Sequence, residues 1–536
     1  MQDVTKAVSS AVKDAYGVEI EPLLTYPEEK FGDYSTNVAM QLAGQLEKSP
    51  KEIADSVVGK LNDSGQFEKV EVAGPGFINI TLKNEVIAKA AQAATDVQRP
   101  LAGQEILVEF GDPNPFKEMH VGHLYQLIVG DSIARLLESV GADVKRLSYH
   151  GDVGRHVAQA VWGMRQPGAD TNDLGACYAA GAKAYEQDEA AKAEIDAINQ
   201  HIYKHDDEEI NKLYDRGRAQ SLDSFDEIYK LLGIKFDKHY FESQSTDIGV
   251  KFVQDHRSVF KESDGALVYD GERAGLHTRV FITSAGLPTY ETKDLGLAEL
   301  KNQDYPEAAR SIILTGNEQA EYFKVMLAAL SEIDQQLAAK TTHLSNGFVS
   351  LSSGKMSSRS GNVYKAMELL LEVKDAVHQQ YPDSQVKKPV TFAAVKYAFL
   401  KHRLGSDIVF DIKESVSLEG NSGPYLQYAH ARAQSILQKA GLTNFSELGE
   451  LQPAERSLAR KLSQYSQVVS EASSEYMPHH ITTYLYELSQ KFNNFYEHNR
   501  VVNDERQATR LRLVKIYADV LNHGLGLLGI DAPERI

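Results

Sequence analysis

The alternation of apolar and polar residues divides the chain into regions of different character. Residues 1 to about 100 begin with a helical pattern and continue into "FEKVEVAGPGFINITLK", whose period of two and Gly-Pro-Gly turn predict strands. From about 101 the pattern becomes strand, helix, strand, in "EILVEF", "HLYQLIVGDSIARLLESVG" and "DVKRLSY". Such a unit is typical of a parallel, doubly wound sheet with helices on its faces.

Two further changes of pattern complete the division. Residues 165–275 are mostly helical and strongly charged, which predicts a helical insertion into the α/β region before strand and helix alternate again. Beyond about 405 four helical segments follow one another, which predicts a helical bundle. We therefore expect three domains, at 1–100, 101–404 and 405–536.

The composition narrows the class of protein. The chain has 536 residues, of which 42 % are apolar and 25 % charged, as is ordinary for globular domains. The single cysteine, Cys177, excludes a disulfide framework and a multi-cysteine zinc site. No apolar run is long enough to span a membrane, and the mixed start lacks a secretory signal. These features predict a cytoplasmic protein.

The net charge of −18 weighs weakly against nucleic-acid binding. A basic face can coexist with an acidic whole, and "SQVKKPVTFAAVKYAFLKHRLG" gathers five cations with few acids: Lys387, Lys388, Lys396, Lys401 and Arg403. The segment is either a binding surface for an anionic partner or the solvated face of a helix.

Candidate chemistry begins in "ILVEFGDPNPFKEMHVGHL", where a strand leads through a proline-containing loop into a helix. Ligands of doubly wound sheets lie at this position, and a helix N-terminus attracts phosphate. His120 and His123 can donate hydrogen bonds to phosphoryl oxygens, while Gly122 lets a flat base approach the backbone. The turn lacks the glycine patterns of dinucleotide folds and P-loops. The turn therefore favours a binding site for a nucleoside triphosphate. The alternative is that the two histidines are ordinary surface residues near the start of a helix.

A second motif, "SSGKMSSRSGNV", strengthens the triphosphate hypothesis. Lys355 is followed by Met356, Ser357 and Ser358 in a loop rich in glycine and serine. One ammonium and several hydroxyls on a closing loop suit charge that builds transiently on phosphorus. A polar hairpin tip is the simpler interpretation of this loop alone, but the joint occurrence of both motifs disfavours it.

At these two motifs the sequence resembles the class I aminoacyl-tRNA synthetases, with HVGH similar to their HIGH signature and KMSSR to their KMSKS loop. The resemblance is closest to arginyl-tRNA synthetases and runs from end to end. It includes "FGDYSTNVAMQLA", "GPGFINI", "PNPFKEMHVGHL", "TYETKDLGLA", "GNEQ", "EGNSGPYLQYAHAR" and "GLGLLGIDAPERI". It implies a Rossmann-type parallel-sheet catalytic domain, an α+β N-terminal domain and an all-α C-terminal bundle.

The chemistry of arginine makes its own demands on a pocket. A guanidinium is planar, always charged, and best matched by carboxylates. Three acids lie near strand ends beside the motifs: Glu109, Asp152 and Asp294. Tyr290 and Asp294 stand four residues apart, on one face if the stretch is helical, so a ring could stack on the guanidinium that the carboxylate holds.

The resemblance assigns roles to individual residues. It implies that Glu109, Tyr290 and Asp294 recognise the arginine side chain and that Asn114 and Gln319 hold its amino and carboxylate end. It implies that ATP and Mg²⁺ take part, with the catalytic and nucleotide-binding residues being Lys117, His120, Gly122, His123, Lys355, Met356, Ser357 and Ser358. No dedicated metal ligands and no editing domain are expected.

The expected macromolecular partner is tRNA(Arg). Phe77 and Asn79 could stack on and hydrogen-bond an unpaired base, although a core phenylalanine beside a turn asparagine is an equal alternative. The C-terminal bundle resembles an anticodon-binding domain, and the resemblance implies that arginine activation requires bound tRNA. We expect a monomer.

Three positions depart from the family pattern: Tyr125, Val153 and Tyr322. We expect them at the edge of the pocket, where they would alter affinity more than reaction type. Three rival interpretations remain at this stage. They are another class I synthetase such as the cysteinyl type, a non-catalytic tRNA-binding scaffold, and a simple nucleotidylyltransferase.

Overall fold

The computed structural model describes residues 2–352, 354, 364–382, 386–441 and 447–536. The four candidate catalytic residues of the second motif, Lys355, Met356, Ser357 and Ser358, lie outside the described residues.

The N-terminal region packs three helices against one face of a small antiparallel sheet. Its strands lie in the order β1-β2-β4-β3. The third helix is capped by Ser49, whose hydroxyl accepts the Glu52 N–H, and carries Pro50 in its first turn. The elements are α1 Gln2–Tyr16, β1 Leu24–Thr25, β2 Tyr34–Thr36, α2 Val38–Leu46, α3 Pro50–Asp63, β3 Lys69–Ala73, β4 Phe77–Thr81 and α4 Asn84–Gln92.

The second region is built on a parallel sheet of five strands. They are β5 Glu105–Glu109, β6 Asp143–His150, β7 Lys238–Phe241, β11 Arg310–Gly316 and β12 Thr341–Asn346, in the order β12-β11-β5-β6-β7. The first strand in the chain, β5, is the central strand of this sheet. The next two, β6 and β7, lie on one side of it, and β11 and β12 lie on the other side. The strand order therefore reverses between β5 and β11, and ligands of such sheets bind at this switch point.

The region expected as a helical insertion near 165–275 does hold long helices, but the expectation is wrong for its last part. β7 lies inside that range and is an edge strand of the central sheet. Its four residues, "KHYF", are too few and too polar to produce a strand pattern. The helices between β6 and β7 are α6 Arg155–Met164, α7 Leu174–Gln187, α8 Glu189–Lys204 and α9 Glu208–Leu232.

The remaining elements of the second region surround the sheet. A three-stranded antiparallel sheet in the order β10-β9-β8 and a two-stranded parallel sheet of β13 and β14 lie outside the central one. The elements are α5 Val121–Ser139, α10 Glu242–Asp255, β8 Lys261–Ser263, β9 Ala266–Tyr269, β10 Arg279–Ile282, α11 Tyr290–Asp304, α12 Ala320–Ile333, α13 Gln335–Lys340, β13 Val349–Leu351, α14 Ala366–Gln380, α15 Lys387–Leu400, β14 Ile408–Phe410 and α16 Ile412–Ser415.

The C-terminal region is all helical in its described part. The second of the four segments expected there divides into two helices at Ser463 and Gln464. The elements are α17 Gly423–Ala440, α18 Pro453–Leu462, α19 Tyr465–Glu475, α20 His479–His498 and α21 Gln507–Leu527. Together with the parallel sheet and the N-terminal α+β unit, this bundle confirms the expected fold class. None of the described helices is long and apolar enough to cross a membrane.

A buried ion-pair network joins the N-terminal region to the C-terminal bundle. Asp33 is 2 % exposed, and its carboxylate lies 2.7 Å from Arg456 and 3.0 Å from Arg460. The same carboxylate accepts the backbone N–H of Leu82. Each charge is thus taken out of water with its partners in place, so removing one of them would leave the others unpaired.

Candidate active site

The carboxyl edge of the central sheet carries the loop that connects β5 to α5. Phe116, at a φ of 66°, adopts a left-handed backbone conformation, and its N–H donates to the hydroxyl of Ser221 on α9 at 2.9 Å. Its ring packs against Gly217, where any side chain would collide with it. The helix α9 therefore holds this loop from outside, and the loop delivers the histidine turn to the switch point.

His120 and His123 form a stacked pair at the start of α5, with ring centroids 3.7 Å apart. The Nδ1 of His120 accepts the N–H of Gly122 at 3.1 Å, and the Nδ1 of His123 accepts the N–H of His120 at 3.2 Å. Burial, reinforced by the charge of Lys117, lowers the pKa of His120 to about 4, and burial also lowers the pKa of His123. Both rings are therefore neutral near pH 7.

These backbone hydrogen bonds settle where the imidazole protons lie. A neutral imidazole has one donor nitrogen and one acceptor nitrogen. Because each Nδ1 accepts, each Nε2 carries the proton, and neither Nε2 has a partner among the residues that the structure describes. The turn therefore offers two neutral N–H donors at the positive end of a helix, an arrangement that suits phosphate oxygens.

The chain returns to the histidine turn directly after the second motif. The N–H of Val121 donates to the carbonyl of Tyr364 at 3.0 Å, and the N–H of Ala366 donates to the carbonyl of Met119 at 2.9 Å. Lys365 also forms an ion pair with Glu118 at 2.7 Å. The segment that contains Lys355 is thus anchored at its C-terminal end against the residues that flank His120.

Four carboxyl groups collect near the ends of β5, β7 and α11. Glu109 and Glu242 are almost fully buried, and each pairs with a buried lysine: Lys301 Nζ lies 2.8 Å from Glu109, and Lys293 Nζ lies 2.6 Å from Glu242. The other two members are Asp112 and Asp294. Four acids thus share two internal cations.

Asp294 differs from the two glutamates because no lysine pairs with it, and from Asp112 because no described N–H donates to it. It is half-buried on α11, and its carboxylate has no hydrogen bond or ion pair within the described part of the chain. Burial, together with the negative charges of Glu109 and Glu242, raises its pKa well above the ordinary value. The Asp294 side chain is therefore the acceptor of this cluster that is open to an incoming cation.

Asp112 is held more loosely than the two glutamates. One of its oxygens accepts the N–H of Tyr149 at 2.7 Å. Burial and the nearby charge of Glu109 raise its pKa well above the ordinary value. Asp112 and Asp294 consequently gain charge most readily when a cation enters the cluster.

A close packing of two helices positions this cluster. Gly249 on α10 and Gly296 on α11 lie where the two backbones touch, and a Cβ at either would overlap a carbonyl of the other helix. Glycine at both positions allows this approach. The contact places Glu242, the first residue of α10, beside Lys293 and Asp294 on α11.

The other residues expected to bind arginine differ in their exposure and in their contacts. The side-chain oxygen of Asn114 accepts the N–H of Gly151, the residue after β6, at 3.1 Å. Gln319 is exposed in a short turn after β11. Tyr290 is 66 % exposed at the start of α11, four residues before Asp294, as the helical spacing predicted. Asn114 and Gln319 thus lie in segments that follow β5 and β11, the two strands between which the order reverses, whereas Tyr290 is presented by α11.

Asp152, considered above as a pocket acid, is committed elsewhere. It is fully buried and accepts from Tyr214, Arg218 and Ser243, with oxygen–donor distances of 2.7 to 3.1 Å. Its charge is compensated by Arg218, and its role is to tie α9 and α10 to the loop after β6. Glu109 is likewise engaged, because one of its carboxylate oxygens accepts from Lys301 at 2.8 Å.

Several residues of the cluster escaped sequence reasoning. Glu242 directly follows β7, the strand whose pattern was not recognised, so the strand-end rule could have found it once that strand was known. Lys293 and Lys301 lie on a helix with little amphipathic pattern, and nothing in the sequence distinguishes them from surface lysines. Asp112 stood inside the quoted loop and could have been included on position alone.

The two residues expected to contact tRNA behave differently. Phe77 is 41 % exposed at the start of β4. Asn79, two residues further, is 6 % exposed, and its side-chain oxygen accepts from Ser35 at 2.8 Å. The expectation that Asn79 hydrogen-bonds an unpaired base does not fit this environment, because its side chain is buried and its oxygen already accepts from Ser35.

The three departures do not share one environment. Tyr125 is fully buried and packs against Phe399 at 5.3 Å between ring centroids, and Val153 is buried among helices α6 to α9. The expectation that it touches the edge of the pocket is wrong for Tyr125, because α5 turns this position toward the core. For Val153 it stays a prediction. Tyr322 is also buried, with the Arg279 guanidinium 5.9 Å from its ring.

Comparison with known families accounts for nearly the whole length of the chain. Residues 85–412 match the family described as tRNA synthetases class I (R), catalytic domain. Residues 2–82 match the arginyl tRNA synthetase N terminal domain, and residues 426–536 match the DALR anticodon binding domain. The chain belongs to the arginyl-tRNA synthetase family.

Individual relatives of this arginyl-tRNA synthetase family member agree over full length. The arginine–tRNA ligase of Limosilactobacillus reuteri is 33 % identical over 573 aligned residues, covering 100 % of this chain and 99 % of the relative. That of Laribacter hongkongensis is 31 % identical, covering 99 % and 97 %. The recognition from the sequence is thereby confirmed, and the cysteinyl and nucleotidylyltransferase alternatives are excluded.

Solved structures give the same answer for the fold. The Thermus thermophilus arginyl-tRNA synthetase superposes with a TM-score of 0.85 at 27 % identity, with 100 % of both chains covered. The Plasmodium falciparum arginyl-tRNA synthetase superposes with a TM-score of 0.85 at 22 % identity, with 100 % and 99 % covered.

Proposed function

We propose that the chain activates arginine with ATP and transfers the arginyl group to tRNA(Arg). One observation carries this proposal beyond family membership. A pair of neutral histidine N–H donors at a helix N-terminus and an uncompensated carboxylate, Asp294, border the same switch point of one sheet. The first suits a triphosphate and the second suits a cationic side chain.

In the first step an oxygen of the arginine carboxylate attacks the α-phosphorus of ATP. A carboxylate–phosphorus bond forms, the bond from the α-phosphorus to the bridging oxygen breaks, and pyrophosphate leaves. Such a step needs alignment and charge stabilisation more than covalent help. The Nε2–H groups of His120 and His123 donate to phosphate oxygens, Gly122 lies against the adenine, and Lys117 adds a nearby cation.

We assign the leaving pyrophosphate to the second motif. The ammonium of Lys355 compensates the charge that develops on the phosphates, and Ser357 and Ser358, with Met356, steady the loop that presents it. The anchoring of Tyr364 and Ala366 beside the histidine turn supports this assignment, because a loop that ends there starts within reach of the triphosphate.

Mg²⁺ belongs to the nucleotide in this proposal. In the described ranges no three His, Cys, Asp or Glu side chains converge to hold a metal ion. Mg²⁺ is commonly bound through substrate phosphates and water rather than an all-protein cage, so the residues present fit an ion that enters with ATP. Bound there, it would neutralise phosphate charge.

Arginine enters with its guanidinium toward the acid cluster. Asp294 accepts from the guanidinium edge, Tyr290 covers its face, and the remaining oxygen of Glu109 accepts from the other side. Asn114 and Gln319 hold the amino and carboxylate end near the histidine turn. A pocket built on buried carboxylates rejects analogues that lack these donors, which would otherwise leave the acids unpaired.

In the second step the terminal ribose hydroxyl of tRNA takes the acyl group from the adenylate, releasing AMP. The exposed Phe77 ring offers a stacking surface to an unpaired base, and the C-terminal bundle contacts the anticodon. A cytoplasmic location, a monomeric state, a strict requirement for tRNA and the domain limits at 1–100, 101–404 and 405–536 stay predictions.

Amino-acid-dependent exchange of pyrophosphate into ATP tests the proposal. The full chain is incubated with each amino acid in turn, with and without tRNA(Arg). Exchange should depend on arginine. Exchange driven by cysteine or glutamate instead would overturn the substrate, and no exchange under any condition while tRNA still binds would favour the scaffold alternative.

A further inference from the structure

The basic segment around α15 does not form the uniformly solvated face of a helix. Lys388, Phe392 and Lys396 are spaced by four residues and therefore share one side of α15. Lys388 is exposed, Phe392 is half-buried, and Lys396 is only 4 % exposed. A buried lysine at the inner end of this stripe needs an explanation that surface charge does not provide.

This side of α15 faces a cleft of about 430 Å³ between the catalytic region and the C-terminal bundle. The C-terminal end of α9 forms one wall, and the turn that follows α21 forms another. Four cations line the cleft, Arg135, Lys230, Lys388 and Lys396, together with the apolar side chains of Leu231, Pro389, Phe392 and Ile530.

The ammonium of Lys396 has partners but no bonded counter-ion. It donates to the carbonyl of Leu232 at 2.7 Å and to the carbonyl of Gly529 at 2.5 Å. An ammonium has three donors, so one N–H is left at the cleft. Burial lowers the pKa of Lys396 to about 8, with Asp131 opposing the shift, and the group is still charged near pH 7.

Apart from Asp531, the acids around this cleft are engaged in ion pairs. Asp131 binds Arg135 at 2.7 Å and Arg146 at 3.2 Å, and Arg146 also binds Glu138. Lys230 pairs with Asp226 outside the cleft. Lys388 has no hydrogen bond or ion pair to any other described residue. Of the lining residues, Asp531 alone carries a carboxylate, and its side chain is exposed at the rim.

The carbonyl groups at the C-terminal ends of α9 and α21 do not occupy all the donors of Lys388 and Lys396. Near the end of α21 the carbonyl of Gly526 accepts from Arg135 and that of Leu527 accepts from Ser132. The end of α21 is thus partly satisfied by Arg135 and Ser132, and the end of α9 by the bond from Lys396 to Leu232. The third donor of Lys396 and the whole ammonium of Lys388 are not used there. Two cationic donors, eight residues apart on one helix face, remain on either side of an aromatic ring.

We propose that this cleft is a second binding site, for a small organic anion with a flat apolar body. Its phosphate or carboxylate lies between Lys388 and Lys396, and its body lies against Phe392. The ligand would touch α9, α15 and the residues after α21 at once, so its binding would tie the catalytic region to the C-terminal bundle. The site is separate from the histidine turn and goes beyond the proposed function.

Calorimetric titration of the full chain with phenyl phosphate tests the proposal. One equivalent of arginyl-sulfamoyl-adenosine, an analogue of the adenylate, fills the active site beforehand. We expect saturable binding of one equivalent in the millimolar range. Lys388→Met should weaken it about tenfold, as expected for losing one charge-assisted contact. Its exposed side chain makes this variant safe for folding.

Lys401→Met is the matched control, because Lys401 follows the same helix but pairs with Glu414 outside the cleft. The Lys401→Met variant should bind phenyl phosphate with the same affinity as the unmodified chain. The Lys396→Met variant should not bind it. Benzoate, titrated in parallel, shows whether phosphate or carboxylate is preferred. No saturation by either anion below about 20 mM, or equal affinity with Lys388→Met, would overturn the site.

Discussion

The backbone N–H of Val121 donates to the carbonyl of Tyr364 at 3.0 Å, although 243 positions separate the two residues in the chain. This bond joins the histidine turn to the segment that follows the lysine-serine motif. The residues that follow the lysine-serine motif therefore lie beside the histidine turn. The proposed division of work between His120, His123 and Lys355 depends on this junction.

Replacing Lys355 by alanine should reduce kcat for pyrophosphate exchange by more than ~100-fold, the typical loss when one contact to transition-state charge is removed. Binding of tRNA should persist. Lys374→Ala, at an exposed position of α14, is the control and should leave both unchanged. A parallel loss of tRNA affinity in Lys355→Ala would contradict the assigned role.

Replacing Asp294 by asparagine should raise the KM for arginine by about 30-fold or more, because a charge-assisted hydrogen bond contributes ~2 kcal/mol. Asp247→Asn, on the exposed side of α10, is the matched control and should behave like the unmodified chain. Steady-state exchange kinetics at varied arginine concentration measure both. An unchanged KM in Asp294→Asn would remove this residue from the pocket.

Arginine should bind more tightly as the pH rises. Burial and neighbouring acids raise the pKa of Asp112 and of Asp294 in the empty site, so these carboxyls tend to hold protons. A guanidinium favours their charged form, so binding releases protons, and affinity falls as the pH falls through the raised pKa values of these groups.

Calorimetry in buffers of different ionisation enthalpy measures this release directly. Asp294→Asn should release fewer protons per arginine bound. Binding of arginine with the same affinity across the pH range would refute the proton linkage while leaving the proposed function intact.

Replacing Gly122 by alanine should disturb the ATP site without unfolding the helix. An added Cβ would lie 2.9 Å from Nδ1 and Cε1 of His120, so the imidazole must move. A displacement of about 1 Å can cost about 100-fold in rate. Gly44→Ala is the control, since a Cβ there meets nothing within 4 Å. Equal exchange rates in both variants would show that the ring position is not critical.

Replacing Asp33 by alanine should destabilise the junction between the N-terminal region and the C-terminal bundle. Arg456 and Arg460 would lose a buried partner, a change that costs about 3 to 5 kcal/mol in comparable cases. The midpoint of thermal unfolding should fall by several degrees, and limited proteolysis should separate the first region faster. Asp55→Asn, at an exposed position of α3, should change neither quantity.

Much of the architecture was predictable because long elements leave strong periodic signals. The helix α5 and the strands β5 and β6 are long enough for their apolar residues to repeat several times, and the structure has them where the pattern predicted. The stretch that carries Tyr290 and Asp294 is helical, which was the condition for the two residues to share one face. By contrast, β7 has only four residues, and its first two are polar and half-buried. Its pattern could therefore not be distinguished from that of the helical segments around it.

The candidate site also has features that the sequence predicted and features that depend on tertiary packing. The sequence by itself determined that two motifs suited to a triphosphate stand near strand-to-helix turns, because short motifs such as HVGH and KMSS show directly which functional groups are present. Only the tertiary structure decided which acids are open to a cation. Lys301 reaches Glu109 across 192 positions, and Arg218 reaches Asp152 across 66, so both acids are compensated while Asp294 is not. Such pairings are set by how distant elements pack, and no local pattern records them.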